Sequence, residues 1–316
     1  MPRGDRSTDG VSCNIDIVAL SLSLQQMSEA KWSCHSGVRR LEANGLPDHE
    51  IGTFPNEANP NTPTQQDVRA VMPLAPALSD TTRPVGGPGG VGVFALNGVK
   101  FDPGTGGTCP EGAGEPGDCP LGGAPAGEWR IEALGQDVFD FGEDWNNAHV
   151  QPTGAYHYHG VPEGVLRNLG ISDGAPRMGL VGWATDGFPV YARWCHADAG
   201  DPDSPIKRCE GSYELKARPD AGRPSTDWVP MGAFGQDWTY APGSGDLDEC
   251  NGRFGVTPDF PEGIYHYMAT DDYPYFSRCL KGVVLAQDYT VAPREAAAPL
   301  ERGERGSRPP RGRGRR

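Results

Sequence analysis

The strongest periodic signals in the chain are β signals. Residues 20–24 read Leu-Ser-Leu-Ser-Leu, a clean alternation that predicts a strand with one buried face. Apolar runs flank Asn97-Gly98 over residues 93–102 and Asp186-Gly187 over residues 180–194. Both patterns predict tight hairpins, because Asn-Gly and Asp-Gly accept the positive φ angles of two-residue turns. Pro189 lacks an N–H, which pushes the second strand of the later hairpin toward an edge or a bulge. Residues 129–134 and 137–142 predict a further strand pair. Helical patterning is scarce: residues 25–32 (QQMSEAKW) are the best amphipathic stretch, and 164–170 allow a single turn. The expected fold is a single large, loop-rich, mainly β domain, sandwich-like or of mixed sheets, with few short helices.

Composition adds a staple. The chain has 316 residues with 45 Gly and 31 Pro, interleaved with seven Trp, ten Tyr and ten Phe, as in a folded loop-rich protein. Eight cysteines occur at 13, 34, 109, 119, 195, 209, 250 and 279, none in a CxxC pair, so a zinc ribbon has no support. An even count points to disulfides and an oxidising compartment, extracellular or periplasmic. About 105 connectivities exist for eight cysteines. Proximity favours Cys13–Cys34, Cys109–Cys119, Cys195–Cys209 and Cys250–Cys279. No stretch is long and apolar enough for a membrane span. No signal peptide is evident, since Asp16 interrupts the apolar run 15–24.

The net charge of −14 is uneven, because residues 293–316 hold eight Arg against three Glu. Three segments follow: an N-terminal segment (1–40) packed on the domain, the main domain (41–285), and a disordered Arg-rich tail (286–316). The acidic body repels nucleic acid, which leaves only weak contact through the tail. The glycine-rich run 86–92 precedes a strand rather than joining a strand to a helix, so it is a poor phosphate loop. Walker A and GxSxG motifs are absent.

Candidate chemistry concentrates in residues 154–160, Gly-Ala-Tyr-His-Tyr-His-Gly. In a strand, His157 and His159 share one face, and Tyr156 and Tyr158 share the other. Zinc or copper takes nitrogen ligands at about 2.0–2.1 Å, and a His-x-His pair offers two from rigid backbone. A turn at 152–154 can return His149 to the pair. The stretch 152–158 is echoed by 261–267, both Pro-x-Gly-x-Tyr-His-Tyr, so two related strands facing each other across a core would add His266. His49, beside Asp48, completes the candidate ligand set. His35 and His196, each next to a cysteine, suit surface roles. Asp144, Glu143 or Asp186 would serve as general base or, with Tyr156 and Tyr158, as outer support for the ligands. Imidazole suits copper and zinc alike.

Two other readings compete. Asp246, Asp248 and Asn251, with Gly252, offer the oxygen ligands of a calcium loop, though without EF-hand spacing; an Asx-turn network fits the same residues. Alternatively, exposed aromatics such as Trp145, Trp183 and Trp238 would bind a glycan, another small molecule or a protein without catalysis.

Several blocks in order resemble the YHYH domain family, named for the tetrapeptide at 156–159. They are ANGLPDHEIGTFPN (43–56), VGVFALNGVKFDPGT (91–105), NNAHVQPTGAYHYHG (146–160), LVGWATDGFPVYAR (180–193) and SGDLDECNGRFGVTPDFPEGIYHY (244–267). The resemblance spans roughly 41–282. It implies an extracellular or envelope protein and a metal role for the motif histidines, here His49, His149, His157, His159 and His266. The 103–127 loop looks longer than the family pattern, and the Arg-rich tail lies outside it. The resemblance supplies no substrate.

Overall fold

The computed structural model describes residues 13–87, 90–122, 127–171, 174–285 and 289–294. In chain order these form β1 (Ile15–Ser21), β2 (Gln26–His35), β3 (Val38–Ala43), β4 (Gln66–Pro73), β5 (Leu78–Pro84), β6 (Val93–Ala95), β7 (Lys100–Phe101), β8 (Thr108–Cys109), β9 (Trp129–Arg130), β10 (Ala148–Val150) and β11 (Tyr156–Tyr158). Helix α1 (Glu163–Asn168) follows, then β12 (Leu180–Ala184), β13 (Pro189–Ala192), β14 (Trp194–His196), β15 (Ile206–Arg208), β16 (Tyr213–Leu215), β17 (Trp238–Tyr240), β18 (Gly252–Gly255), β19 (Ile264–Ala269), β20 (Cys279–Gly282) and β21 (Tyr289–Pro293). The protein is mainly β, as the patterning predicts.

Two sheets carry the architecture. One has five strands in the order β1-β2-β3-β4-β21, and the other has eight in the order β10-β11-β7-β6-β12-β13-β19-β18. Trp32, Leu41, Val68, Ala70 and Met72 of the first pack on Phe94, Leu96 and Trp183 of the second. The Trp32 indole donates to the Leu96 carbonyl at 2.7 Å, and the buried Arg39 guanidinium lies 3.3 Å above the Trp183 ring. A larger cluster fills the rest of the eight-stranded sheet and takes in Val165 and Leu166 of α1. Four disulfides join Cys13–Cys34, Cys109–Cys119, Cys195–Cys209 and Cys250–Cys279, the pairing that proximity favours.

Both hairpins form where the turn residues place them. β6 and β7 flank Asn97-Gly98, β12 and β13 flank Asp186-Gly187, and both glycines have positive φ. Pro189 opens β13 and pairs across to β12, while β19 joins only from Val190 onward, so the missing N–H disrupts nothing.

Elsewhere the structure corrects the sequence expectations. Residues 26–32 belong to strand β2 and not to a helix; Ser28, Ala30 and Trp32 point inward while Glu29 and Lys31 face solvent. The run 20–24 ends in a turn at 22–25, where Gln25 has positive φ. Residues 137–142 form no strand, because the Gln136 side chain captures the N–H groups of Val138 and Phe139 and bends the chain. Residues 289–293, placed within the tail by composition, zip onto β4 as an edge strand. The Arg-rich stretch 295–316 lies outside the described residues.

The inter-sheet and ring contacts set the stability. Phe101 is fully buried, stacked on Phe276 at 4.4 Å and tilted against Tyr158 at 5.2 Å. Phe101→Ala is expected to cost about 3–5 kcal/mol in urea unfolding, and Val18→Thr on the exposed face of β1 under about 0.5 kcal/mol.

Candidate metal centre

A short sequence builds the site. Asp144 starts a turn: its N–H donates to the Ala148 carbonyl at 2.8 Å, and its carboxylate accepts the Asn146 N–H at 2.8 Å. Asn147 supplies the positive φ of 54° that lets β10 leave in the right direction. A second turn, with Gly154 at positive φ and Gln151 bonded to the Ala155 carbonyl, returns the chain as β11. His149 then lies directly opposite His157, and the His159 N–H donates to the Asn147 carbonyl at 2.7 Å.

Strand alternation now separates two faces. On one, the Tyr156 hydroxyl donates to Asp144 at 2.8 Å, and the Tyr158 hydroxyl meets His49 Nε2 at 2.6 Å and Asn97 Nδ2 at 3.0 Å. On the other, the imidazoles of His149, His157 and His159 form a nearly equilateral triangle, with ring centroids 4.6–4.7 Å apart and planes steeply inclined to one another. One ring nitrogen from each lies within 4.8 Å of the others. A tetrahedral ion with bonds of about 2.0–2.1 Å would hold them about 3.4 Å apart, so small ring rotations suffice.

The protonation pattern suits a cation. His149 Nδ1 lies 3.0 Å from the Phe141 carbonyl and His157 Nδ1 3.2 Å from the Ala155 carbonyl. A carbonyl only accepts, so Nδ1 carries the proton on both rings and each Nε2 presents a lone pair. His159 Nε2 sits 3.0 Å from His149 Nε2 and so donates to it; its Nδ1, beside the Gly104 backbone, has no hydrogen bond among the described residues and is free to take that proton instead. All three imidazoles are held below their ordinary pKa, first by burial and, for His157 and His159, then by His149 and by Lys100. Neutral imidazole is the form that binds metal.

The triangle floors a cavity of about 630 Å³. Phe141, Val150, Pro60, Pro103 and Pro152 make apolar walls, while Asn61 and Gln151 add amides. Asp102 also reaches the cavity and pairs with the nearly buried Lys100 at 2.6 Å. Glu143 Oε1 stands 3.6 Å from His149 Nδ1 without a hydrogen bond among the described residues, and burial pushes its carboxyl up to about 7. Lys100 and Asp102 were missed from sequence, although their i, i+2 spacing after the Asn-Gly turn puts them on the histidine face.

The other candidates stand apart. His49 uses both ring nitrogens, on the Glu50 carbonyl and the Tyr158 hydroxyl, and it packs where a Cβ on Gly164 would come within 2.2 Å of its ring. His266 is not on a facing strand: β19 lies in the same sheet as β11, five strand steps away, or about 24 Å. Its Nδ1 bonds the Ile264 carbonyl at 3.0 Å, and burial lowers its pKa to about 4. Asp186 likewise belongs to the far half, accepting Tyr267 at 2.5 Å and the Gly282 N–H at 2.9 Å. His196 is buried on β14 rather than exposed.

Of the calcium candidates, Asp246 pairs with Lys207 and accepts the Glu210 N–H. Asp248 accepts Tyr265 and two backbone N–H groups, and Asn251 donates to Met268 and Thr270. The Asp248 bonds to the Cys250 and Gly252 N–H groups are Asx-turn bonds, and the others tie this segment to neighbouring parts of the chain. The aromatic platform is not assembled either: Trp145 is exposed, Trp183 is buried in the inter-sheet core, and Trp238 stacks on Tyr273. Asp246 also lies near Cys195 and Cys209, but their disulfide removes both sulfurs as ligands.

A family model described as YHYH protein matches residues 69–282, more than half of the chain. The chain belongs to the YHYH protein family. The YHYH match takes in the whole histidine triangle, whereas His49 and β1–β3 lie outside it. No curated protein and no solved structure matches the chain. Among the described residues, no helix is long and apolar enough to cross a membrane.

The buried ionisable groups give opposite pH terms. His266 keeps its neutral form to about pH 4, against about 6.5 when unfolded, so its contribution is full above 6.5 and is lost as pH falls toward 4. Asp186 is raised by burial from 3.8 to about 6, so its term is present below 3.8 and lost as pH rises through 6. His266→Asn is expected to flatten the acid loss of unfolding free energy between pH 6.5 and 4, by up to roughly 1.4 kcal/mol per pH unit. Asp186→Asn is expected to steepen it. Urea titrations at pH 7, 5.5 and 4.5 measure both.

Proposed function

We propose that this is an extracellular or periplasmic metalloprotein in which His149, His157 and His159 hold one transition-metal ion, copper or zinc, at the floor of the cavity. The single observation that carries the reading is the triangle itself: three buried imidazoles, held toward the neutral form, with one ring nitrogen of each within 4.8 Å of the others. His159 Nδ1 is buried with no hydrogen bond among the described residues, and an orphaned buried polar atom is costly unless a rearrangement of the rings around a ligand completes it. Four disulfides and YHYH membership support the extracytoplasmic location.

A three-histidine set leaves a coordination position open, and here the open side faces a cavity large enough for a small organic molecule. When bound, the ion supplies Lewis-acid chemistry, or redox chemistry if it is copper. The chain's own residues do the rest. Phe141 and Ala155 carbonyls fix the tautomers of His149 and His157. Glu143, with its raised pKa, sits where it can take or give a proton near His149. The Lys100–Asp102 pair borders the imidazoles, and the apolar walls limit water.

Elemental analysis of protein purified without a histidine tag is expected to give one equivalent of copper or zinc, falling to none in a folded His157→Ala/His159→Ala variant. Chelator is expected to lower the melting temperature of the wild type by several degrees and leave the variant unmoved. A wild type with no metal and a chelator-insensitive melt contradicts the reading.

A further inference from the structure

The eight-stranded sheet reads the same from both ends. β6 pairs antiparallel with β12 so that Phe94 faces Trp183, Val93 faces Ala184 and Ala95 faces Gly182. A two-fold axis through the Phe94–Trp183 pair exchanges the halves: hairpin β6–β7 with its Asn97-Gly98 turn maps onto hairpin β12–β13 with Asp186-Gly187. Beyond the hairpins the match continues. Tyr158 lies beside Phe101 in the parallel pair β11–β7, and Tyr267 lies beside Val190 in the parallel pair β19–β13. The outer pairs β10–β11 and β18–β19 are both antiparallel, with His149 opposite His157 and Arg253 opposite His266.

The match extends to single hydrogen bonds. Asp144 N–H donates to the Ala148 carbonyl at 2.8 Å, and Asp248 N–H to the Gly252 carbonyl at 2.8 Å. Asn147 and Asn251 have φ of 54° and 55°. Tyr156 donates to Asp144 as Tyr265 does to Asp248. Tyr158 meets Asn97 at the turn, and Tyr267 meets Asp186 at the equivalent turn position. His159 N–H bonds the Asn147 carbonyl at 2.7 Å, and Met268 N–H the Asn251 carbonyl at 2.9 Å. His157 and His266 both give Nδ1 to the carbonyl two residues back. So many coincident contacts at matching positions are hard to reach from two unrelated segments.

We infer that the sheet is an internal duplication whose second copy is a latent metal site, with His266 retained, Met268 at the His159 position and the cationic Arg253 at the His149 position; the inference rests on reading the first triangle as metal ligands. His266 is fully buried, and its Nε2, which must be the lone-pair nitrogen, has no hydrogen bond among the described residues. Arg253 Nε is buried and likewise without one, while Arg253 Nη2 donates to the His196 carbonyl at 2.7 Å. A guanidinium at the position of a ligand cannot bind a metal and repels one, since it has no lone pair to give and a fixed positive charge. The chain thus supplies the second copy with a cation of its own. Met268 keeps a weak, soft donor in an apolar nest with Tyr191 and the Cys195–Cys209 disulfide.

Restoring the missing donors tests this. Chelator-stripped wild type, Arg253→His/Met268→His and the same pair in a His157→Ala/His159→Ala background are titrated with zinc chloride and assayed for bound zinc, with circular dichroism and melting as fold checks. The expected stoichiometries are one, two and one. A folded double variant that binds no more zinc than wild type overturns the inference. Zero for wild type with one for the double variant overturns the reading of the first triangle and supports the duplication. If the double variant does not fold, Arg253→His alone, which leaves Met268 in place, is titrated with copper(I): one additional equivalent over wild type supports the latent His-His-Met site, and no gain overturns it.

Discussion

The structure depends on one constraint: a β-strand has two faces, and β11 uses both for rings. Successive side chains must point opposite ways, so Tyr-His-Tyr-His cannot be packed as one aromatic cluster. The tyrosines go inward and anchor through their hydroxyls to Asp144, Asn97 and His49. Those bonds fix the strand's rotation about its own axis. With the tyrosines fixed, the histidines have no choice but the cavity face, where β10 brings His149 against them. The histidine triangle is thus a consequence of how the core side is tied down. This is also why His49, though far from the triangle's face, matters to it: its ring holds Tyr158.

The same constraint runs through the other half of the sheet with different results. Tyr265 and Tyr267 are tied to Asp248 and Asp186 as firmly as their counterparts. The core side has therefore been kept in both halves, while the opposite side has diverged. One half has three imidazoles at the floor of a cavity; the other has a single imidazole, a thioether and a guanidinium packed under β14. Anchoring and chemistry are on separate faces of the strand, so the chemistry can change without loss of the fold.

Much of this was legible in the sequence. Asn97-Gly98 and Asp186-Gly187 marked the two hairpins because their turn type demands such residues. Cysteine proximity gave the disulfides, and His-x-His with a nearby turn gave three residues that the structure brings together. Other features were not legible, for definite reasons. The segment 26–32 is rich in helix formers, and only its partners β1 and β3 make it a strand. Gln136 bends 137–142 through a side-chain capture that no periodicity reports. His49 and His266 are of the right residue type, yet a residue's type does not reveal which face of which strand it will meet. The echo of 152–158 in 261–267 was visible, but its meaning required the sheet order, since two strands of one design can face each other or lie in one plane.

The most direct measurement is anomalous X-ray diffraction, above and below the copper and zinc absorption edges, from crystals of protein purified without added metal. The account predicts one strong site per chain, bonded at about 2.0–2.1 Å to Nε2 of His149, His157 and His159 and open toward the cavity. An anomalous peak on other residues, or no peak at all with ordered density showing the three rings bridged by water alone, would contradict it.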